Sequence, residues 1–183
     1  MKHIISILFV LITARGVGQS YTPASVFSHN DYQQRLPLYA ALNEQVVYIE
    51  ADVFLSRGKL LVAHTTAEIS ETRSLDEMYL RPLQQILSRN NGKIYTETSH
   101  SLTLMIDVKS DALGTLQALV TLLKKYPTLT ESSYLRITIS GNIPDPTQWK
   151  AFPGYITFDG RPGVAYTPEQ LKRIALVSDD FRR

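Results

Sequence analysis

Cysteine is absent from all 183 residues. That excludes a disulfide framework, a thiolate metal centre and a lipid-modified cysteine. A standing charge of one sign is also missing. The formal net charge of +2 is accounted for by Lys2 and Arg15, in a leader stretch that holds no acid. The rest of the chain is electrically balanced, and nothing in it suggests an electrostatic nucleic-acid partner. There is no glycine-rich phosphate loop and no G-x-S-x-G elbow, so nucleotide-loop chemistry and an elbow serine are not indicated. No repeat, low-complexity tract or long linker divides the chain, and one domain is the simplest organisation.

The leader has a pattern of its own. Lys2 and His3 precede an apolar stretch, Ile4 to Ala14, too short to span a bilayer. Small residues, Gly18 and Ser20, stand at −3 and −1 of a cut before Tyr21. Residues 1–20 therefore read as a secretory signal. Residues 21–183 are expected to form an exported, periplasmic or extracellular domain without a transmembrane span.

Beyond the leader, strand and helix patterns alternate. Strands are expected at 26–28, 46–55, 60–63, 102–108, 134–140, 155–158 and 174–177. Helices are expected at 36–44, 74–89, 112–126, 146–152 and 168–173, the second kinked or broken at Pro82. Ser74 is placed to cap it, with Glu77 at the capping-box position. This alternation belongs to the α/β class, with a parallel sheet or barrel.

Nearly every apolar run ends in polar residues: Ser28-His29-Asn30-Asp31, Glu50-Ala51-Asp52, Asp107-Val108-Lys109, Ser140-Gly141-Asn142, Asp159-Gly160-Arg161 and Ser178-Asp179-Asp180. In parallel α/β folds the carboxyl ends of the strands carry the site. Loops are polar anyway, but that does not explain Glu50 and Asp52, because apolar residues continue past them to Leu55. Two residues apart on a strand, their side chains share a face. Two like charges there repel unless a cation or a shared proton lies between them. Oxygen ligands favour a hard cation, Mg²⁺ or Ca²⁺. Asp107 and Lys109 repeat the spacing, offering a third oxygen ligand and a positive charge. His29 and His64 are the acid–base candidates. His100 lacks such surroundings. A divalent cation, a lysine and two histidines together suit a phosphate ester.

The segments "SHNDY", "LPLYAALNE", "IEADVFLSRGKLLVAH", "SLDEMYLRPLQQIL" and "LTLMIDVKS" resemble successive motifs of the superfamily of glycerophosphodiester phosphodiesterases and phosphatidylinositol-specific phospholipases C. The nearest branch has His-Asn-Asp-Tyr at its start and includes fungal proteins named for altered inheritance of mitochondria. The resemblance implies a TIM-type (β/α) barrel that cleaves phosphodiesters with a bound divalent cation. It implies Glu50, Asp52 and Asp107 as metal ligands, His29 and His64 as the histidine pair, and Lys109 on the phosphate. Asn30 stands where the glycerophosphodiester enzymes carry the arginine of a His-Arg-Gly motif. Asn30 and Lys109 are the residues expected to contact substrate. Thr65 follows His64 where many relatives have aspartate.

The expected activity is a metal-dependent phosphoric diester hydrolase acting on a glycerol- or lipid-derived diester. A non-catalytic ligand-binding barrel fragment is the alternative. A sugar hydrolase using Glu50 and Asp107 is a third reading, which Lys109 and the histidines oppose. The post-leader chain is shorter than the ~200 residues near the lower limit for a closed eight-strand barrel. About six of eight strands are therefore expected, in a barrel truncated at the carboxyl end and with open sheet edges.

Overall fold

The computed structural model describes residues 22–179. The expected signal segment, and Asp180 of the last polar cluster, lie outside the described residues. Seven strands build one sheet: β1 (Phe27–Ser28), β2 (Tyr48–Ser56), β3 (Lys59–Val62), β4 (Leu102–Val108), β5 (Leu135–Gly141), β6 (Ile156–Gly160) and β7 (Ile174–Val177). The order is β1-β2-β4-β5-β6-β7, every neighbouring pair on this path is parallel, and β3 pairs antiparallel with β2 off the path. The six parallel strands curl into a half-barrel.

Strand alternation sorts the two faces. Ile49, Ala51 and Val53 of β2, with Leu104, Ile106 and Val108 of β4, are buried on the helix-covered side. The helices are α1 (Tyr39–Asn43), α2 (Arg81–Arg89), α3 (Ala112–Leu123), α4 (Pro127–Glu131) and α5 (Pro168–Leu171), and the first four contribute buried residues to the core on that side. Leu83 and Leu87 of α2 and Leu116, Leu119 and Leu123 of α3 fill the layer between. The other residue parity of β2, β4, β5 and β6 faces the concave side. Toward the carboxyl ends it is mostly polar: Glu50 and Asp52, then Thr103 and Asp107 with Met105 between them, then Thr138 and Ser140, then Thr157 and Asp159. In cross-strand register, Asp52 partners Asp107 and Asp107 partners Ser140. One polar row therefore crosses the carboxyl ends of the parallel strands.

Two helical expectations change. Pro82 does not break a helix. A π-helical turn, Asp76–Leu80, leads straight into α2, with Pro82 at the second residue of α2, so the irregularity at the proline is a widened turn rather than a break. Ser74 Oγ accepts from Glu77 N–H at 3.2 Å, while the Glu77 carboxylate pairs with Arg81 at 2.9 Å. The helix expected over 112–126 ends at Leu123, and α4 follows after a short turn. No helix among the described residues is long and apolar enough to cross a membrane.

Candidate functional site

The hairpin of β2 and β3 explains why apolar residues continue past Asp52. Tyr48–Val53 of β2 pairs with β4, and the stretch beyond it, Val53–Ser56, pairs with β3 instead. Arg57 and Gly58 both have positive φ, 51° and 76°, as a two-residue hairpin of this hand requires. Glu50 and Asp52 thus sit at the carboxyl end of the parallel part of β2. The returning strand then delivers His64 beside them: Ala63 N–H donates to the Asp52 carbonyl at 3.2 Å.

Glu50, Asp52 and Asp107 each offer a carboxylate oxygen, and the three oxygens lie within 4.8 Å of one another. Glu50 and Asp52 are 2% and 0% exposed. Burial, and then repulsion from Asp52, outweigh the Asn30 N–H contact and push Glu50 up to about 8. Burial also raises Asp107, against the pull of Lys109. Lys109 Nζ lies 3.2 Å from Asp52 Oδ1 and 3.1 Å from Asp107 Oδ1. Both oxygens are ion-paired with this one ammonium and meet no other donor among the described residues. Burial disfavours the Lys109 ammonium, but Asp107 and Asp52 overcome it and raise its pKa. Three carboxylates this close, with one ammonium between two of them, leave a concentrated negative charge that fits a divalent cation. The donor set is all oxygen, as Mg²⁺ or Ca²⁺ requires.

Gly141 makes room for this arrangement. A Cβ there would lie 2.1 Å from Asp107 Oδ1 and 2.6 Å from the Val108 carbonyl, and its φ is +70°. Gly141→Ala should cost about 1–3 kcal/mol of stability from backbone strain alone and displace Asp107. Thermal midpoint and metal affinity, measured side by side, should both fall.

The histidines are held differently. His64 Nδ1 lies 2.8 Å from Asp52 Oδ2. An ionised carboxylate only accepts, so Nδ1 carries the hydrogen and Nε2 is left free. Tyr32 OH donates to the same Oδ2 at 2.8 Å and lies 3.1 Å from Asn30 Oδ1. His29 is two-thirds exposed, its Nε2 3.9 Å from Glu50 Oε2. All the sequence-derived candidates meet here: His29, Asn30, Glu50, Asp52, His64, Asp107 and Lys109.

Sequence reading missed the loop that assembles them. Asn30 adopts the left-handed region, φ 50°, which asparagine tolerates. Its backbone N–H thereby donates to Glu50 Oε2 at 2.6 Å. Asp31 is fully buried and accepts from Ser28 Oγ at 2.9 Å, Leu38 N–H at 2.6 Å and Tyr79 OH at 2.9 Å. Asp31 anchors the loop, and Tyr32 orients Asp52. The "SHNDY" run is the available signal, although residue type alone marks only its histidine and asparagine as site residues.

The raised Glu50 has a consequence for stability. Between its ordinary value of 4.5 and about 8, the folded metal-free protein holds a proton that the unfolded chain releases. The stability that this proton supplies is complete below 4.5 and is lost as pH rises through about 8. Urea midpoints in EDTA should therefore fall across that window, and Glu50→Gln should flatten the dependence.

A family model described as AIM6-like phosphodiesterase domain matches residues 16–143. Altered inheritance of mitochondria protein 6 homolog from Arthroderma benhamiae is 34% identical over 113 residues, which cover 52% of this chain and 36% of that protein. Altered inheritance of mitochondria protein 6 from Kluyveromyces lactis is 36% identical over 112 residues, 48% of this chain and 27% of the relative. The Saccharomyces cerevisiae protein of that name is 35% identical over 107 residues, 52% and 27%. The chain thus spans about a third or less of the length of these curated relatives. No solved structure matches it.

Proposed function

The chain belongs to the AIM6-like phosphodiesterase domain family, and on that premise we propose that it is a metal-dependent phosphoric diester hydrolase. The observation that carries the proposal is the cluster of three carboxylates, flanked by Lys109 and the Asp52-bound His64. Glu50, Asp52 and Asp107 would hold the cation. Bound there, it would act as a Lewis acid on the phosphoryl group.

The chain's own groups supply the rest. Asp52 fixes the His64 tautomer and stabilises the imidazolium that forms when Nε2 takes a proton. His29 stands on the Glu50 side, exposed and able to exchange protons with solvent. One histidine serves the attacking group and the other the leaving oxygen. Lys109 places positive charge beside the cluster, where a phosphate gains charge in the transition state. Its ion pairs with Asp52 and Asp107 also give it a structural part. Asn30, next to His29, lies on the rim of the site, where it can contact substrate.

The strand-end motifs quoted above support membership of the glycerophosphodiester phosphodiesterase and phospholipase C superfamily, a TIM-type barrel ancestry and a glycerol- or lipid-derived diester substrate. The leader pattern supports export. Hydrolysis of bis(p-nitrophenyl) phosphate, abolished by EDTA and restored by Mg²⁺ or Ca²⁺, tests the proposal. Metal uptake without turnover would point instead to a non-catalytic binding domain.

Lys109→Met should lower turnover more than it lowers the thermal midpoint. A collapsed midpoint with normal activity at low temperature would assign Lys109 to the fold alone.

A further inference from the structure

The polar row continues beyond the acidic cluster into a second charged group that the proposed chemistry does not use. Ser140 of β5 is the register partner of Asp107, and its Oγ donates to Asp159 Oδ2 of β6 at 2.8 Å. Asp159 is 0% exposed. It also accepts from Ser178 Oγ at 2.6 Å, Ser178 N–H at 3.1 Å and Arg161 Nη1 at 2.5 Å. A carboxylate buried this deeply is costly unless every lone pair is met. Here four donors, from β5 and from the residues just after β6 and β7, meet it.

What this pedestal fixes is the Arg161 guanidinium. Arg161 stands two residues beyond Asp159, on the same face. Its Nη1 is tied to Asp159 and, at 3.2 Å, to Ser178 Oγ. Nε and Nη2 take no partner among the described residues, and the side chain is 38% exposed. Its charge is felt at Asp107, where it favours the ionised carboxylate. The ion pair is thus oriented, with the carboxylate buried and the guanidinium part-exposed. A guanidinium held by one nitrogen keeps donors for a second, planar contact.

Donor geometry, not net charge, gives that edge a task, because Asp159 already offsets the Arg161 charge. Lys109 lies against Asp52 and Asp107. An incoming phosphodiester brings non-bridging oxygens suited to the planar N–H donors that Arg161 keeps. We propose that Arg161 is a substrate-anchoring residue, its Nε and Nη2 donors binding a non-bridging phosphate oxygen of the diester at the end of the polar row that holds the acidic cluster. This deepens the phosphodiesterase reading and rests on it.

Arg161→Lys is the informative variant, because a lysine still neutralises Asp159 but lacks the planar fork of N–H donors that would hold a second anion in a fixed geometry. Three measurements suffice: thermal midpoint, calorimetric titration with inorganic phosphate in Mg²⁺, and steady-state hydrolysis of bis(p-nitrophenyl) phosphate. The midpoint and Mg²⁺ affinity should hold. Phosphate affinity should weaken by about tenfold or more, the worth of a charged hydrogen bond. KM should rise by a similar factor, with kcat changed less. Unchanged phosphate affinity and KM would overturn the proposal, and so would an unfolded Lys variant, which would assign Arg161 to the fold. If the unaltered protein hydrolyses no diester, the phosphodiesterase reading fails and the phosphate titration alone decides. A tenfold weaker phosphate site in the variant then supports Arg161 as an anion anchor. Equal affinities, or no phosphate uptake by the unaltered protein, overturn it.

Discussion

Asp52→Asn should lower diester turnover by up to about 10⁴-fold, the scale of loss when asparagine replaces the aspartate behind a catalytic imidazole in a serine-protease triad. Asp52 is the hub of the site. One oxygen receives His64 Nδ1 and the Tyr32 hydroxyl, each at 2.8 Å, and the other faces Lys109 at 3.2 Å. Asparagine has the same shape but brings an N–H₂ group. Turned toward His64, that group makes Nδ1 the acceptor and moves the imidazole hydrogen to Nε2, the atom needed to take a proton. The lost charge also weakens metal binding, since one of three carboxylates becomes neutral. Repulsion within the cluster falls at the same time, so the thermal midpoint should hold. Turnover, calorimetric metal affinity and midpoint, measured on one preparation, check this. Turnover within tenfold of the unaltered protein would remove Asp52 from the machinery.

The second large effect is at the histidines. His29→Ala and His64→Ala each reduce turnover by ~10²–10⁴-fold, the usual worth of general acid–base catalysis. Neither belongs to the carboxylate set, so metal affinity should stay within a few-fold in both. The two differ in their holding: His64 is fixed by Asp52, whereas His29 reaches Glu50 Oε2 only at 3.9 Å and is largely exposed. Exogenous imidazole should therefore rescue His29→Ala better than His64→Ala. A variant with near-normal turnover marks its histidine as peripheral.

Much of this site could be read in the sequence because its signals are local. Glu50 and Asp52 stand out since a buried strand rarely tolerates unpaired charge. Asp107 and Lys109 repeat the same spacing, and six parallel strands follow from apolar runs with polar ends. The long-range contacts could not be read in this way. Tyr32 reaches Asp52 only because Asn30 turns left-handed, and Asp31 is buried only because Leu38 N–H and Tyr79 OH converge on it. Residue type alone does not announce such a loop path. Arg161 was visible as one more polar strand end, but its orientation depends on Ser140, Asp159 and Ser178, which lie on separate stretches of chain. The helical boundaries failed for local reasons. Pro82 is met by a widened turn rather than a break, and the apolar spacing of α3 runs on toward Tyr126 although the helix stops at Leu123.

The buried acidic cluster is the centre on which the proposed chemistry turns, and direct metal titration addresses it. The protein, stripped with EDTA and then dialysed, is titrated calorimetrically with Mg²⁺ and with Ca²⁺ at about pH 7, in two buffers of different ionisation enthalpy. One ion per chain should bind, with release of up to about one proton, because Glu50 stays protonated to about 8 until a cation displaces the proton. Glu50→Gln should abolish the proton release, and Asp107→Asn should weaken binding. No saturable binding at millimolar metal, or binding that neither substitution alters, would contradict a metal site at Glu50, Asp52 and Asp107.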